Sequence, residues 1–141
     1  MSLDKKTFGT SPTVGVFAPG RANIIGEHTD YNDGFVLPMA ITKSTVIVAT
    51  PLPGSTIITL VSSDFEEKVV FDFSKEIIKV PRSWGNYVKG VVQQFHKRGM
   101  PLVGFNAAVA STVPLGGGVS SSAALEGMGM ILYMMMSITQ C

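Results

Sequence analysis

Gly104-Phe-Asn-Ala-Ala-Val-Ala-Ser-Thr-Val-Pro-Leu-Gly-Gly-Gly-Val-Ser-Ser-Ser-Ala-Ala-Leu125 reads, in order, as a strand of small residues, a glycine loop and the start of a helix. The strand covers residues 104–112, with Phe105, Ala107 and Val109 on one face. Gly116, Gly117 and Gly118 let the backbone approach a ligand without Cβ atoms in the way, and Ser121 or Ser122 caps the helix that follows. The free N–H groups of that helix start point at the same spot, so these are the parts of a phosphate cradle; the plain alternative is a flexible turn with a serine cap. Known cradles do not fit. A Walker loop needs a lysine, and none lies between Arg98 and the end of the chain. Ser121 stands where the Rossmann fingerprint has its third glycine, and Ser122 where a hydrolase elbow has its last. What remains is an anion site in which backbone donors, the helix dipole and a metal carry the charge, one serine hydroxyl being a suitable oxygen ligand for Mg²⁺.

Upstream, Trp84, Tyr87, Val88, Val91, Val92 and Phe95 follow one stripe of a 3.6-residue period and predict an amphipathic helix, started by Ser83 as cap and stopped by Lys97, Arg98, Gly99 and Pro101. Such a stripe is first of all a buried face, so Trp84 and Tyr87 read as core. β-branched runs at residues 44–50, 56–62 and 68–73 predict strands, antiparallel to one another, with Pro51-Leu-Pro-Gly54 between the first two. Val14 and Val16 begin a short strand that ends at Pro19-Gly20, and residues 20–34, with no sustained period, predict a loop. The fold expected is one α+β domain: a mostly antiparallel sheet packed with the Trp84 helix and the helix after Ser122, its glycine loop and its residue 20–34 loop meeting at one edge.

With 141 residues the chain buries a core of one domain, and 45% apolar against 15% charged residues excludes a solvated, disordered chain. Eleven Lys and Arg against ten Asp and Glu leave a net charge of +1, which gives no field for nucleic acid or an anionic membrane. The single cysteine, Cys141, closes no intrachain disulfide and favours a reducing compartment. No signal-like apolar stretch opens the sequence, and its longest uncharged apolar run, residues 127–138, falls short of the roughly 20 residues that span a bilayer. A cytoplasmic location is expected. Residues 99–141 carry one formal charge, Glu126, and five of the eight methionines lie within residues 128–136, so this segment expects burial; Gly127 and Gly129 weaken its helix.

A second constellation lies in the predicted loop, Gly20-Arg-Ala-Asn-Ile-Ile-Gly-Glu-His-Thr-Asp-Tyr-Asn32. Glu27, His28 and Asp30 offer acceptors and a switchable donor, which suits sugar hydroxyls, each both donor and acceptor. Arg21 can neutralise charge on a transferring phosphoryl group. A zinc site is the poorer reading, since the spacing is wrong for a helical pair and His96 is the only other histidine. The plain alternative is a polar surface turn.

The Gly20–Asn32 block resembles the galactokinase signature, and Pro114-Leu-Gly-Gly-Gly-Val-Ser-Ser-Ser-Ala-Ala124 resembles the ATP loop of the GHMP small-molecule kinases; Ser83-Trp-Gly-Asn-Tyr-Val-Lys-Gly90 is similar to a further family segment. The likeness runs from about Thr13 to Leu125, over the family's N-terminal part alone, with Ala22 where the family more often has Val. It implies residues 1–12 as a tail and residues 13–141 as an incomplete N-terminal domain of GHMP-kinase type. It further implies that Glu27, His28 and Asp30 hold galactose, that Arg21 stabilises the phosphoryl transition state, and that Gly116, Gly117, Gly118, Ser120 and Ser121 cradle ATP. By the same resemblance Ser122 ligates Mg²⁺, and Trp84 and Tyr87 lie near the adenine. The implied reaction is transfer of the γ-phosphoryl group of ATP to the anomeric hydroxyl of galactose.

The family's catalytic Asp, its acidic Mg²⁺ ligand and its second lobe would follow Cys141, so this chain alone is expected to turn over weakly or not at all, and to self-associate through the uncovered segment 99–141. The alternative is a non-catalytic galactose- or ATP-binding regulatory protein. An unrelated α+β domain would need two coincident motifs in the right order.

Overall fold

The computed structural model describes residues 8, 9, 11–26, 32–114 and 129. Among the described residues five strands, β1 (Val14–Ile25), β2 (Leu37–Leu52), β3 (Ile57–Ser62), β4 (Val69–Asp72) and β5 (Gly104–Ser111), form one sheet in the order β1-β2-β5-β3-β4, and the helix α1 (Asn86–Lys97) joins β4 to β5. Neighbours pair antiparallel except β3 with β5, which are parallel. The sheet is therefore mixed and mostly antiparallel, as the sequence predicts.

Its register aligns the apolar residues in rows. Val16, Ile47 and Val109 make one row; Ala49, Ala107, Leu60 and Val69 make the next; Phe105, Ile58 and Phe71 make a third. Trp84, Val88 and Val92 close over that face, so the stripe read from the sequence is the helix's contribution to one core. Ile47, Ile58, Leu60 and Val92 are fully buried, each removed from water at a gain of about 1.5–3 kcal/mol. Phe105, Ala107 and Val109 share the core face as their alternation requires. Tyr87, on the flank of the stripe, is exposed.

Several local expectations are corrected. β1 does not stop at Pro19-Gly20 but continues to Ile25, and β2 begins at Leu37 instead of residue 44, because the two extensions pair with each other, Arg21 opposite Ala40 and Ile25 opposite Leu37. Pairing supplies what local propensity does not. The strands flanking Pro51-Leu-Pro-Gly54 run in opposite directions but are not hydrogen-bonded, since β5 lies between them. Ser83 is not the helix cap: Gly85 occupies that position without a side-chain cap, and Ser83 Oγ instead accepts the Gly85 N–H at 3.3 Å and donates to Glu67 Oε1 at 2.7 Å. The stop signal does work as predicted. Gly99 takes φ +66°, its N–H bonds His96 O at 3.0 Å, and Met100 N–H bonds Phe95 O at 3.2 Å, the paired closure of a Schellman motif.

The first turn of α1 also fastens the chain that precedes it. Asn86 Oδ1 accepts Val80 N–H at 3.0 Å and Asn86 Nδ2 donates to Val80 O at 2.6 Å, while the buried Lys89 donates to Ile78 O at 3.2 Å above the Phe71 ring. Asn86→Ala removes two bonds and is expected to cost about 1–2 kcal/mol, with faster amide exchange at Val80 than at core positions of β5; unchanged exchange there would sink the clamp.

At the end of β4, Asp72 Oδ1 accepts the Ser74 hydroxyl at 2.7 Å and the Ser74 N–H at 3.0 Å. The Ser74 hydroxyl first, then Thr56 and the Ser74 amide, hold its carboxyl below the ordinary value of 3.8. A carboxylate favoured in the folded chain stabilises at neutral pH and loses that contribution as pH falls through the depressed folded-state value. A proton titration of Asp72 in the folded chain is expected to show a midpoint below that of the unfolded chain, and Asp72→Asn to remove this acid-side dependence.

Among the described residues no helix is long and apolar enough to cross a membrane.

Candidate functional site

β1 and β5 are both antiparallel to β2, so they run parallel to each other with β2 between them; β5 ends opposite Thr45, whereas β1 stays paired with β2 as far as Ile25 opposite Leu37. Thr45 of β2 stands opposite Ala18 on one side and Ser111 on the other, which sets the two strands about 10 Å apart at that row. β1 leads from there through Gly20 and Arg21 toward residue 27, and β5 leads through Val113 and Pro114 toward the glycine loop. The start of the first motif, at Gly20, and the stem of the second, at residues 111–113, thus lie close together in the sheet.

Close packing ties the two segments together. The pairing of β1 with β2 shifts between Pro19 opposite Ser44 and Arg21 opposite Ala40, leaving Gly20 alone against three residues of β2. In that bulge a Cβ on Gly20 would stand 3.0 Å from Ile41 and 3.2 Å from Val113, so the backbone just before Arg21 packs against the residue three before Gly116. Val113 is itself buried and its N–H bonds Ser111 Oγ at 3.1 Å; Ser111 Oγ meets buried Thr45 Oγ1 at 2.7 Å. Thr112 N–H donates to Ser44 O at 2.8 Å, and Thr112 Oγ1 accepts Ser44 N–H at 3.0 Å. The stem of the glycine loop is fastened at each of residues 111, 112 and 113.

Arg21 is exposed. Two residues on, Asn23 keeps its Oδ1 buried with no hydrogen-bond partner. Trp84 is 7% exposed and belongs to the core; Phe65 lies parallel to its ring at 6.0 Å, and its indole N–H donates to Glu67 O at 3.3 Å. The sequence-predicted Glu27, His28, Asp30, Gly116, Gly117, Gly118, Ser120, Ser121 and Ser122 lie outside the described residues. Among the described residues no group of three or more His, Cys, Asp or Glu side chains is disposed to hold a metal ion. Sequence reasoning passed over Asn23 and the Gly20 contact, since both belong to a stretch without a readable period.

Residues 5–51 match the galactose-binding signature of galactokinases, and residues 86–136 match the N-terminal domain of GHMP kinases. The chain thus carries the galactose-binding signature of galactokinases and the N-terminal domain of GHMP kinases. It is 49% identical to the galactokinase of Bos taurus over 125 residues, covering 84% of this chain and 31% of that protein. To the galactokinase of Homo sapiens it is 45% identical over 128 residues, 86% of this chain and 32% of the relative. The chain therefore spans about a third of the length of these curated relatives. Its fold matches that of the Lactococcus lactis galactokinase solved in complex with galactose, with TM-score 0.79 and 34% identity, over 89% of this chain and 33% of that one. The Methanococcus jannaschii mevalonate kinase, at 19% identity and TM-score 0.68, shares the fold.

Proposed function

We propose that this chain carries the galactose-binding and ATP-phosphate-binding halves of a galactokinase, which transfers the γ-phosphoryl group of ATP to the anomeric hydroxyl of galactose. The observation that carries the reading is the contact of Gly20 with Val113, which joins the stem of the galactokinase signature to the stem of the glycine loop. In this reading residues 13–141 act as one unit after a twelve-residue tail. Glu27, His28 and Asp30 fix the sugar by charge-assisted hydrogen bonds, and the backbone N–H groups of Gly116, Gly117 and Gly118 with the hydroxyls of Ser120 and Ser121 bind the triphosphate oxygens. Arg21, on β1, offsets negative charge on the phosphoryl group in flight, and most of the rate enhancement comes from positioning and charge. In this reading Trp84 and Tyr87 border the nucleobase, Tyr87 from the exposed flank of α1 and Trp84 from the core, where its ring lies parallel to Phe65.

Mg²⁺ neutralises phosphate charge when bound, and the Ser122 hydroxyl is a hard oxygen donor of the kind this cation accepts beside phosphate oxygens and water. A reducing cytoplasm suits a chain with one cysteine.

A coupled assay of ATP consumption with galactose, at micromolar chain, tests the reading together with calorimetric titration of galactose. We expect binding with turnover far below that of a full sugar kinase, because a base that takes the hydroxyl proton contributes about 10²- to 10⁴-fold and the family places it beyond the part matched here. Absence of both binding and turnover would refute the proposal for this chain. Tight binding with no turnover in a catalytically complete form would favour a sensor. β5 is buried between β2 and β3, so the expected self-association falls to the part of residues 99–141 that follows it in sequence, and light scattering in the same samples reads it.

A further inference from the structure

The segment between β3 and β4 carries an aromatic ring at the surface and is tied down on both sides of it. Before the ring, Ser63 N–H donates to Val109 O at 2.9 Å and Asp64 Oδ2 accepts the Ser111 N–H at 3.1 Å, which fastens residues 63 and 64 to the end of β5, the stem of the glycine loop. After it, Glu67 accepts twice from the approach to α1: its Oε1 takes the Ser83 hydroxyl at 2.7 Å and its backbone O the Trp84 indole N–H at 3.3 Å. Phe65 stands between these ties. Its ring lies nearly parallel to that of Trp84, with 13° between the planes and 6.0 Å between the centroids.

The two rings differ in what they offer a ligand. Trp84 is 7% exposed and belongs to the core, so it has no free face for a planar group. Phe65 is 38% exposed even with Trp84 beside it, and an open aromatic face is a surface on which a base stacks. The segment bridges the stem of the glycine loop and the start of α1, the stretch that a nucleotide spans when its phosphates lie on the former and its base near Trp84 and Tyr87. We infer that the nucleobase of ATP stacks on Phe65, with Trp84 as the buried ring behind it. The inference rests on the proposed function and specifies which aromatic side chain the base touches.

Calorimetric titration of the 141-residue chain, F65L and F65Y with ATP, and separately with inorganic tripolyphosphate, which has no base, tests this. F65L keeps an apolar side chain and removes the π face; it is expected to weaken ATP about 5- to 100-fold and to leave tripolyphosphate unchanged, since stacking acts on the base alone. F65Y keeps the ring and is expected to retain ATP affinity. ATP affinity of F65L within about threefold of the unsubstituted chain overturns the inference. Tighter ATP binding by F65L overturns it as well, because Phe65 would then cover the base site instead of forming it. An equal loss of ATP and tripolyphosphate in F65L, or a loss of ATP in F65Y, also overturns it by placing the effect in the fold or in the phosphate site. The unsubstituted chain decides even where F65L does not fold, since it must bind ATP more tightly than tripolyphosphate. If it binds neither, the proposed function falls first and takes this inference with it; if it binds both equally, only the inference falls.

Discussion

Gly104→Ala is expected to lower the melting temperature by about 10 °C or more, corresponding to about 3 kcal/mol at the high end of overpacking costs. The position is where β5 enters between β2 and β3. Gly104 N–H donates to Ser55 O at 2.8 Å, and a Cβ there would stand 2.5 Å from Ile57 O and 2.8 Å from Ser55 O. These are backbone atoms, held by the parallel pairing of β3 with β5 on one side and by the turn at Ser55, whose N–H bonds Leu52 O, on the other. They cannot swing aside as a side chain does. Relief requires β5 to part from β3, which opens the row of Ile58 and Phe105 in the middle of the core. Gly90→Ala is the internal comparison: Gly90 is an exposed residue of α1 with nothing within 4 Å of its would-be Cβ, so the same methyl should stabilise by about 0.5–1 kcal/mol through helix propensity. Thermal unfolding of both variants decides the matter, and a Gly104→Ala chain that melts with the unsubstituted one would remove the close approach as the reason for this glycine.

The second large effect is on the sugar. Under the proposed function Asp30→Ala deletes an ionised acceptor from the galactose site, and a hydrogen bond to a charged group is worth about 1.5–3 kcal/mol net, so galactose affinity is expected to fall by about one to two orders of magnitude. Titration calorimetry measures it, with the unliganded melting temperature as the control for folding. Affinity within about threefold of the unsubstituted chain would show that Asp30 does not hold the sugar, and would leave Glu27 and His28 to be tested in the same way.

Much of the fold is legible in the sequence wherever one local rule governs. α1 and β5 were read because burial on one side imposes a period that a single segment carries in its own residues, such as Val88, Val92 and Phe95, or Phe105, Ala107 and Val109. The distal half of β1 was missed for the opposite reason. Arg21, Ala22 and Asn23 have no alternation to read and are strand only because Ala40, Met39 and Pro38 lie across from them. The same is true of α1's start, where Ser83 has a good capping side chain but spends it on Glu67. Trp84 was read correctly as core from its period, whereas its Phe65 neighbour came from a segment with no period at all.

By itself the sequence carried the galactokinase resemblance, in its Gly20–Asn32 and Pro114–Ala124 blocks, and it determined which faces of α1 and β5 are buried. Only the tertiary structure decided that β5 inserts between β2 and β3, that β3 pairs with it in parallel, and that Gly20 meets Val113, which brings the two motif stems together. The reason is physical: a segment's period encodes which side wants to leave water, but strand partners are chosen by backbone hydrogen bonds that every residue except proline can make, and those bonds carry no record of the neighbour in the sequence.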